Sequence, residues 1–325
     1  MIKTPFKEDS KLNSSYWFIF LLIFSMIFSV IFTHSQFYNS NLIESNKLRI
    51  FNAGHWQLDS IIIDDNWSFI NETYDWCSYK DGVYIIENVT IDASNPFTGG
   101  IIISDTDDPF IIKNCTIYNS YASEDSAAIK LIRVKNGILI ENNFSNNNGN
   151  GIMTVLSENI TIHQNIVKDN KENGIMLGRS QNITISSNLI NNNEKRGIFI
   201  NALYSFGPGS FTASLNNKIQ NNEINHNRLS GIILNWCVNN TVSKNEIHYN
   251  DQYGIRLEDW CSGNTITNNH IIYIQGCIFD KESSSNISNN YCEGNLSIPG
   301  YNLCVLIICI GMMMFLRNKS IRRKD

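Results

Sequence analysis

The chain has 325 residues, a net charge of −5 and 17% charged side chains. That excludes a disordered acidic chain, which needs far more charge, and a polytopic membrane protein, which needs many long apolar runs. Asn (48) and Ile (51) make up almost a third of the residues against 7 Ala. Ala is the best helix former, whereas Ile favours strands and Asn favours turns with left-handed backbone, so the composition predicts an all-β chain.

In chain order, residues 1–15 carry three Lys against Glu8 and Asp9, and residues 16–33 read YWFIFLLIFSMIFSVIFT without a charge. Eighteen apolar residues reach the lower limit for crossing a bilayer. The segment reads as a cytoplasmic N-terminus followed by a transmembrane helix or signal anchor, since no small-x-small cleavage site follows; a cleaved signal peptide is the alternative. Both place the rest outside the cytoplasm. Residues 34–81, with the run IIIDDNWSF, are expected to cap the next region.

Residues 82–297 repeat. Gly151, Gly174, Gly197, Gly231 and Gly254 each precede Ile at gaps of 23, 23, 34 and 23, and Asn165, Asn188, Asn222 and Asn245 keep gaps of 23, 34 and 23. Two landmarks that share one period and one 11-residue insertion define a solenoid. Each copy holds three short alternating runs (GIML, NITIS and NLI in the copy from Gly174), which leaves no room for a helix. Ile175, Leu177, Ile183, Ile185 and Ile190 are expected to point inward onto Ile152, Ile160, Ile162 and Val167. The four Asn are expected to form an inward ladder of amides. About nine coils, starting near Gly82, Gly100, Ala128, Gly151, Gly174, Gly197, Gly231, Gly254 and Gly276, would stack to about 43 Å.

In the GI-x-[LI] and N-x-T-I-x-x-N patterns the chain resembles the right-handed parallel β-helix family, specifically its NosD-like and carbohydrate-binding repeats. The resemblance implies a right-handed parallel β-helix. It says little of activity, because that family holds lyases, hydrolases, epimerases, binding proteins and inert spikes.

Residues 298–316 hold a second apolar run, and residues 317–325 form a basic tail that predicts a cytoplasmic end. Pro299-Gly300-Tyr301, the apolar run and the basic tail resemble the C-terminal sorting signals of archaeal surface proteins. That resemblance implies removal of the tail and re-anchoring, whereas a plain membrane anchor is the other reading. Residues 1–15 carry +1 and residues 317–325 carry +4, which leaves −10 on the rest. So acidic an ectodomain argues against nucleic acid as a partner.

Several constellations could carry chemistry. The residue two after each coil start is expected to face solvent, and Met153, Met176, Phe199 and Ile233 make it an apolar stripe that a loop or a second chain would cover. The insertion adds Tyr204, Phe206 and Phe211 where the next two coils place Trp236 and Trp260. These five aromatics beside Asn and Asp suit a sugar ring, although the loop could equally fold down on its own rings. Arg133-Val134-Lys135 matches the R-x-K of polygalacturonases, but the G-H-G of that family is absent, and Asp64-Asp65 and Asp107-Asp108 are the only Asp-Asp pairs. No catalytic residue is assigned.

Six Cys lie outside the apolar ends, an even number suited to disulfides, and Cys237 and Cys261 on adjacent coils are expected to pair. His226, His248 and His270 are 22 apart with Glu223 and Glu246 on the same side. The NosD resemblance implies an association with copper, and imidazole with carboxylate suits Cu(II) or Zn(II). Against a 23-residue coil, however, each His slides by about one position, so they are read as exposed polar residues, with no metal site and no cofactor. Ten N-x-[ST] sequons lie between the two apolar ends (Asn66, Asn71, Asn88, Asn114, Asn143, Asn159, Asn182, Asn239, Asn286 and Asn295) and predict a glycoprotein, with the inward Asn among them inaccessible. The functional expectation is a surface-anchored module that contacts the membrane and binds carbohydrate or another surface protein. A polysaccharide lyase or hydrolase is the alternative, and a copper-handling protein the third reading.

Overall fold

The computed structural model describes residues 56–94, 99–202, 213–282 and 284–294. The apolar runs at 16–33 and 301–316, the sorting tail and the ring-bearing loop positions lie outside them. Among the described residues no helix is long and apolar enough to cross a membrane.

Among the described residues, short strands coil into three main sheets, parallel except for one terminal pair, with a further two-stranded pairing at a corner. One has nine strands, from Ile61–Asp64 to Gly276–Asp280; a second has ten; the third is split into groups of three and six strands. Registers run straight up the stack: Ile152↔Ile175↔Ile198↔Ile232↔Ile255 in the first sheet and Ile162↔Ile185↔Ile219↔Val242↔Ile266 in the second. Strands alternate, so these columns point inward, and Ile175, Leu177, Ile183, Ile185 and Ile190 are all fully buried. Gly174 is required by close approach. A Cβ there would lie 2.6 Å from Ile190 Cγ2 and 2.7 Å from the carbonyl oxygen of Gly197.

Corners explain the Asn content. At each, one residue takes left-handed backbone with φ near +55° and the next points inward. Asn136, Asn159, Asn182, Asn216 and Asn239 fill one such column and are all exposed. Asn is the L-residue that tolerates this conformation best. The inward positions hold the amides. The expected ladder is longer than four: Asn142, Asn165, Asn188, Asn222, Asn245, Asn269 and Asn290 each pass Nδ2–H to the Oδ1 of the next. A second runs Asn147, Asn170, Asn193, Asn227, Asn250. A third column carries Asn217, Asn240 and Asn264. Of the sequon asparagines, Asn88, Asn114, Asn159, Asn182 and Asn239 are left-handed corner residues, Asn71 lies in the helix Trp67–Thr73, Asn286 opens a strand, and the Oδ1 of Asn143 is buried.

The run IIID is not cover. Ile61–Asp64 pairs in parallel with Ile101–Ser104 and starts the first coil. Cover comes from the helix Trp67–Thr73, whose buried Trp67 stacks on Tyr84 at 5.0 Å and on Phe110 at 5.5 Å. The antiparallel strands Cys77–Lys80 and Val83–Glu87 end the second sheet beside it. The apolar stripe lies outside the main core and is covered, as its composition required. Met153, Met176 and Ile233 are buried and Phe199 is half-buried; the two Met pack with Ala127 and Val155, and the Arg196 guanidinium lies 4.3 Å over the Phe199 ring.

The Cys237–Cys261 disulfide does not form. Both side chains point inward at one corner, where the coils below place Ser157 and Ser180, and both thiols are free. Cys237 Sγ donates to the carbonyls of Asn235 and Ile200, and Cys261 Sγ to that of Leu234, as Ser180 Oγ does to Gly178. The disulfide among the described residues joins Cys277 to Cys292 in the last coil, with a Cα separation of 5.8 Å.

Candidate functional site

The first candidate grows from a corner. Trp236 and Trp260 take left-handed backbone, at φ 54° and 55°, which turns each indole outward while the following Cys points in. Their rings stack at 5.3 Å and 26°, and Trp260 is 65% exposed. Polar groups flank them: Glu282 accepts the Trp260 backbone N–H at 2.9 Å, and Asp259 pairs with Lys281. The insertion sits where the spacing placed it. Register holds at Asn201↔Asn235 and resumes at Ser214↔Cys237, so the chain leaves the coil opposite Trp236. Tyr204, Phe206 and Phe211 lie outside the described residues.

A second candidate occupies the outward face of the third sheet. Glu223, Glu246, His270 and Tyr291 stand in one column, and Asn225, His248 and Ile272 in the next. Residues two apart on a strand share a face, so Glu246 meets His248 along its own strand and His270 across the sheet. Glu246 Oε2 lies 2.7 Å from His270 Nδ1 and 3.1 Å from His248 Nε2. His226 stands apart at a corner, 5.3 Å from the ring of Tyr249. Burial pushes His248 below the usual histidine range, with His270 acting in the same direction and Glu246 opposing. Burial raises the Glu223 carboxyl, the Asn225 hydrogen bond opposes, and the charge of Glu246 adds to the rise.

Sequence spacing hid this convergence. A 22-residue step against a 23-residue coil moves a side chain by one position and to the other face. Glu246 and His270, however, are in register 24 residues apart, so the step there is a slip of two and the face is kept. The 24-residue spacing of Trp236 and Trp260 was the available signal.

The remaining candidates are satisfied internally. Arg133 pairs with Asp105 and Lys135 with Asp107 on the coil below, so the R-x-K pattern is a rung of ion pairs. Asp64 accepts a hydrogen bond from Ser104 Oγ at 2.8 Å. An open trough of about 280 Å³ lies on the first coils, lined by Gln57, Leu58, Asp59, Thr90, Asp92 and Tyr118.

Two solved structures of similar fold are the A-module of the mannuronan C-5 epimerase AlgE6 from Azotobacter vinelandii and a double mutant of the periplasmic alginate epimerase AlgG. The first is 18% identical over 64% of this chain and 57% of its own, with a TM-score of 0.53. The second is 17% identical over 72% of this chain and 55% of its own, also at 0.53. This chain therefore spans little more than half of either, and at such identity the likeness is one of fold. No curated protein matches the sequence. The family model for the right-handed β-helix region matches residues 48–206 and 201–298. With its parallel registers, inward Ile columns and amide ladders, the chain belongs to the right-handed β-helix family.

Proposed function

We propose that this protein is a cell-surface module, held by its apolar ends, that binds carbohydrate at the corner carrying Trp236 and Trp260. The observation that carries the reading is the stacked indole pair with Trp260 65% exposed. A sugar ring needs a flat apolar face with hydrogen-bonding groups at its edge, and Asp259, Lys281 and Glu282 supply those groups. Two neighbours of similar fold are a mannuronan C-5 epimerase and an alginate epimerase, which supports a sugar polymer as the ligand class. Anchoring rests on residues 16–33 and 301–316 and on the basic tail. The test is a glycan array probed with the full chain in detergent micelles, followed by product analysis. Retention without cleavage supports the reading; no retained glycan rejects it.

A sugar-cleaving enzyme is the second reading. It draws on Glu223 and Glu246, which face each other on adjacent strands. Burial holds the Glu223 carboxyl toward its protonated form, so one partner would serve as acid and the other as base. New reducing ends that disappear in Glu223→Gln would favour it.

A further inference from the structure

We infer that Glu246, His248 and His270 form a binding site for one divalent transition-metal ion of zinc-like character. Three donors of the right type converge: two imidazole nitrogens and one carboxylate oxygen, all within 4.8 Å of one another. They come from the outward face of adjacent strands, Glu246–His248 and His270–Tyr273, whose backbones are fixed by the ladder residues Asn245 and Asn269 that precede them.

The spacing fits an ion after a small adjustment. Zinc bonds to nitrogen and oxygen measure about 2.0–2.2 Å, which puts tetrahedral ligand atoms roughly 3.3 Å apart. Glu246 Oε2 stands 2.7 Å and 3.1 Å from the two ring nitrogens, close to that spacing, and the nitrogens lie within 4.8 Å of each other. His248 Nε2 is buried and makes no aligned hydrogen bond, despite its closeness to the carboxylate. A buried nitrogen in that state gains from a ligand bond what the protein does not supply. A ring of oxygens would suit calcium or magnesium, whereas this mixed set selects a softer cation.

Asn225 holds the strand that carries His248. Asn225 Oδ1 accepts the His248 backbone N–H at 2.9 Å, and Asn225 Nδ2 donates to Glu223 Oε1 at 2.9 Å. Three protein donors leave one position of a tetrahedral ion open, the arrangement that lets a metal act on a bound water or ligand rather than serve as a staple. His226 and Tyr249 sit at the neighbouring corner, and His226 is not a donor of this set.

The test is titration of the full chain in detergent with Zn²⁺ alone, by calorimetry, with Co²⁺ as the spectroscopic probe. The parent should bind one ion at this site and give visible Co²⁺ bands of four-coordinate intensity. The His248→Asn/His270→Gln double variant should bind Zn²⁺ about a hundredfold more weakly and lose those bands, because losing direct ligands costs more than losing outer-shell partners. Asn already occupies the position of His248 one coil below, so the fold tolerates it. Glu246→Gln reads the third donor separately and should weaken binding about tenfold or more. Equal Zn²⁺ binding by the folded parent and folded double variant would overturn the site, as would no binding by the parent. The glycan-array result does not bear on this outcome, so the two readings fail independently.

Discussion

The indole of Trp236 rests 5.3 Å from that of Trp260, with the planes inclined by 26°, although 24 residues separate them in the chain. One full coil brings them together, and left-handed backbone at both turns the rings out. Trp260→Ala should therefore weaken glycan retention about tenfold or less, since an aromatic contact contributes about 0.5–1.5 kcal/mol beyond its buried area. Circular dichroism should be unchanged, because the inward neighbour Cys261 is untouched. Undiminished retention would move the binding surface elsewhere on the coil.

Asn188 tests the ladder. Its Oδ1 accepts both the backbone N–H and the Nδ2–H of Asn165, and its own Nδ2 serves the carbonyl of Ile162 and the Oδ1 of Asn222. Asn188→Ala strands several buried groups at once and should destabilise the protein by about 2–3 kcal/mol in urea unfolding. The exposed corner variant Asn182→Ala loses left-handed tolerance and one exposed hydrogen bond to Glu158 and should cost about 1 kcal/mol. Equal losses in the two would mean that the ladder adds nothing beyond conformation.

Those two asparagines also show how far the sequence could be read. Period and alternation were enough to place Ile175, Ile185 and Ile190 in the core, because a buried strand face leaves a two-residue rhythm. Asn serves corner and ladder alike, so composition alone could not separate Asn182 from Asn188, and only part of one ladder was legible. The Cys237–Cys261 pairing failed for a related reason. Stacking brought the residues close, but at that corner the side chains run parallel into the core in place of Ser157 and Ser180. The Glu246–His270 contact depended on one coil being a residue longer than its predecessor, a detail that averaging over the repeat erases.

Cysteine reactivity gives a pH-dependent check. Burial pushes the Cys115 thiol up to about 12 and the Cys77 thiol to about 11. At pH 8 iodoacetamide should label neither in the folded protein and both in urea, because the thiolate is the reactive form. The sign for stability follows from linkage. Above about pH 8.5 the unfolded chain sheds these protons while the folded chain keeps them, so stability falls as pH rises toward 11–12. Rapid labelling of Cys115 without denaturant would contradict its burial.

The Cys277–Cys292 bridge closes a loop with a sequence separation of 15. For that length the loop-closure contribution is about 3 kcal/mol. Coils interact mainly with their neighbours, so reduction should loosen the last coil and leave the rest intact. Hydrogen exchange should accelerate across Gly276–Asp280 and Tyr291–Gly294 but not at Ile175–Gly178. Uniform acceleration along the chain would mean that the coils unfold as one unit.

A separate pair of inward amides bears on how the molecule ages. Asn150-Gly151 and Asn173-Gly174 are sequences in which a backbone nitrogen readily attacks the neighbouring amide, expelling ammonia to form a cyclic imide that water then opens to a carboxylate. Here the attacking nitrogens are occupied: Gly151 N–H bonds to the Asn173 carbonyl and Gly174 N–H to that of Arg196. The amides are held as well, with Asn150 Nδ2 donating to the Glu124 and Ser126 carbonyls and its Oδ1 accepting from Asn173. Folding thus shields two fragile bonds from their own chain. A molecule that lingers unfolded long enough to deamidate at Asn150 would return with an acid where two carbonyls need a donor. For this protein a single prolonged unfolding is a lasting chemical injury, and its durability depends on how seldom the coil opens.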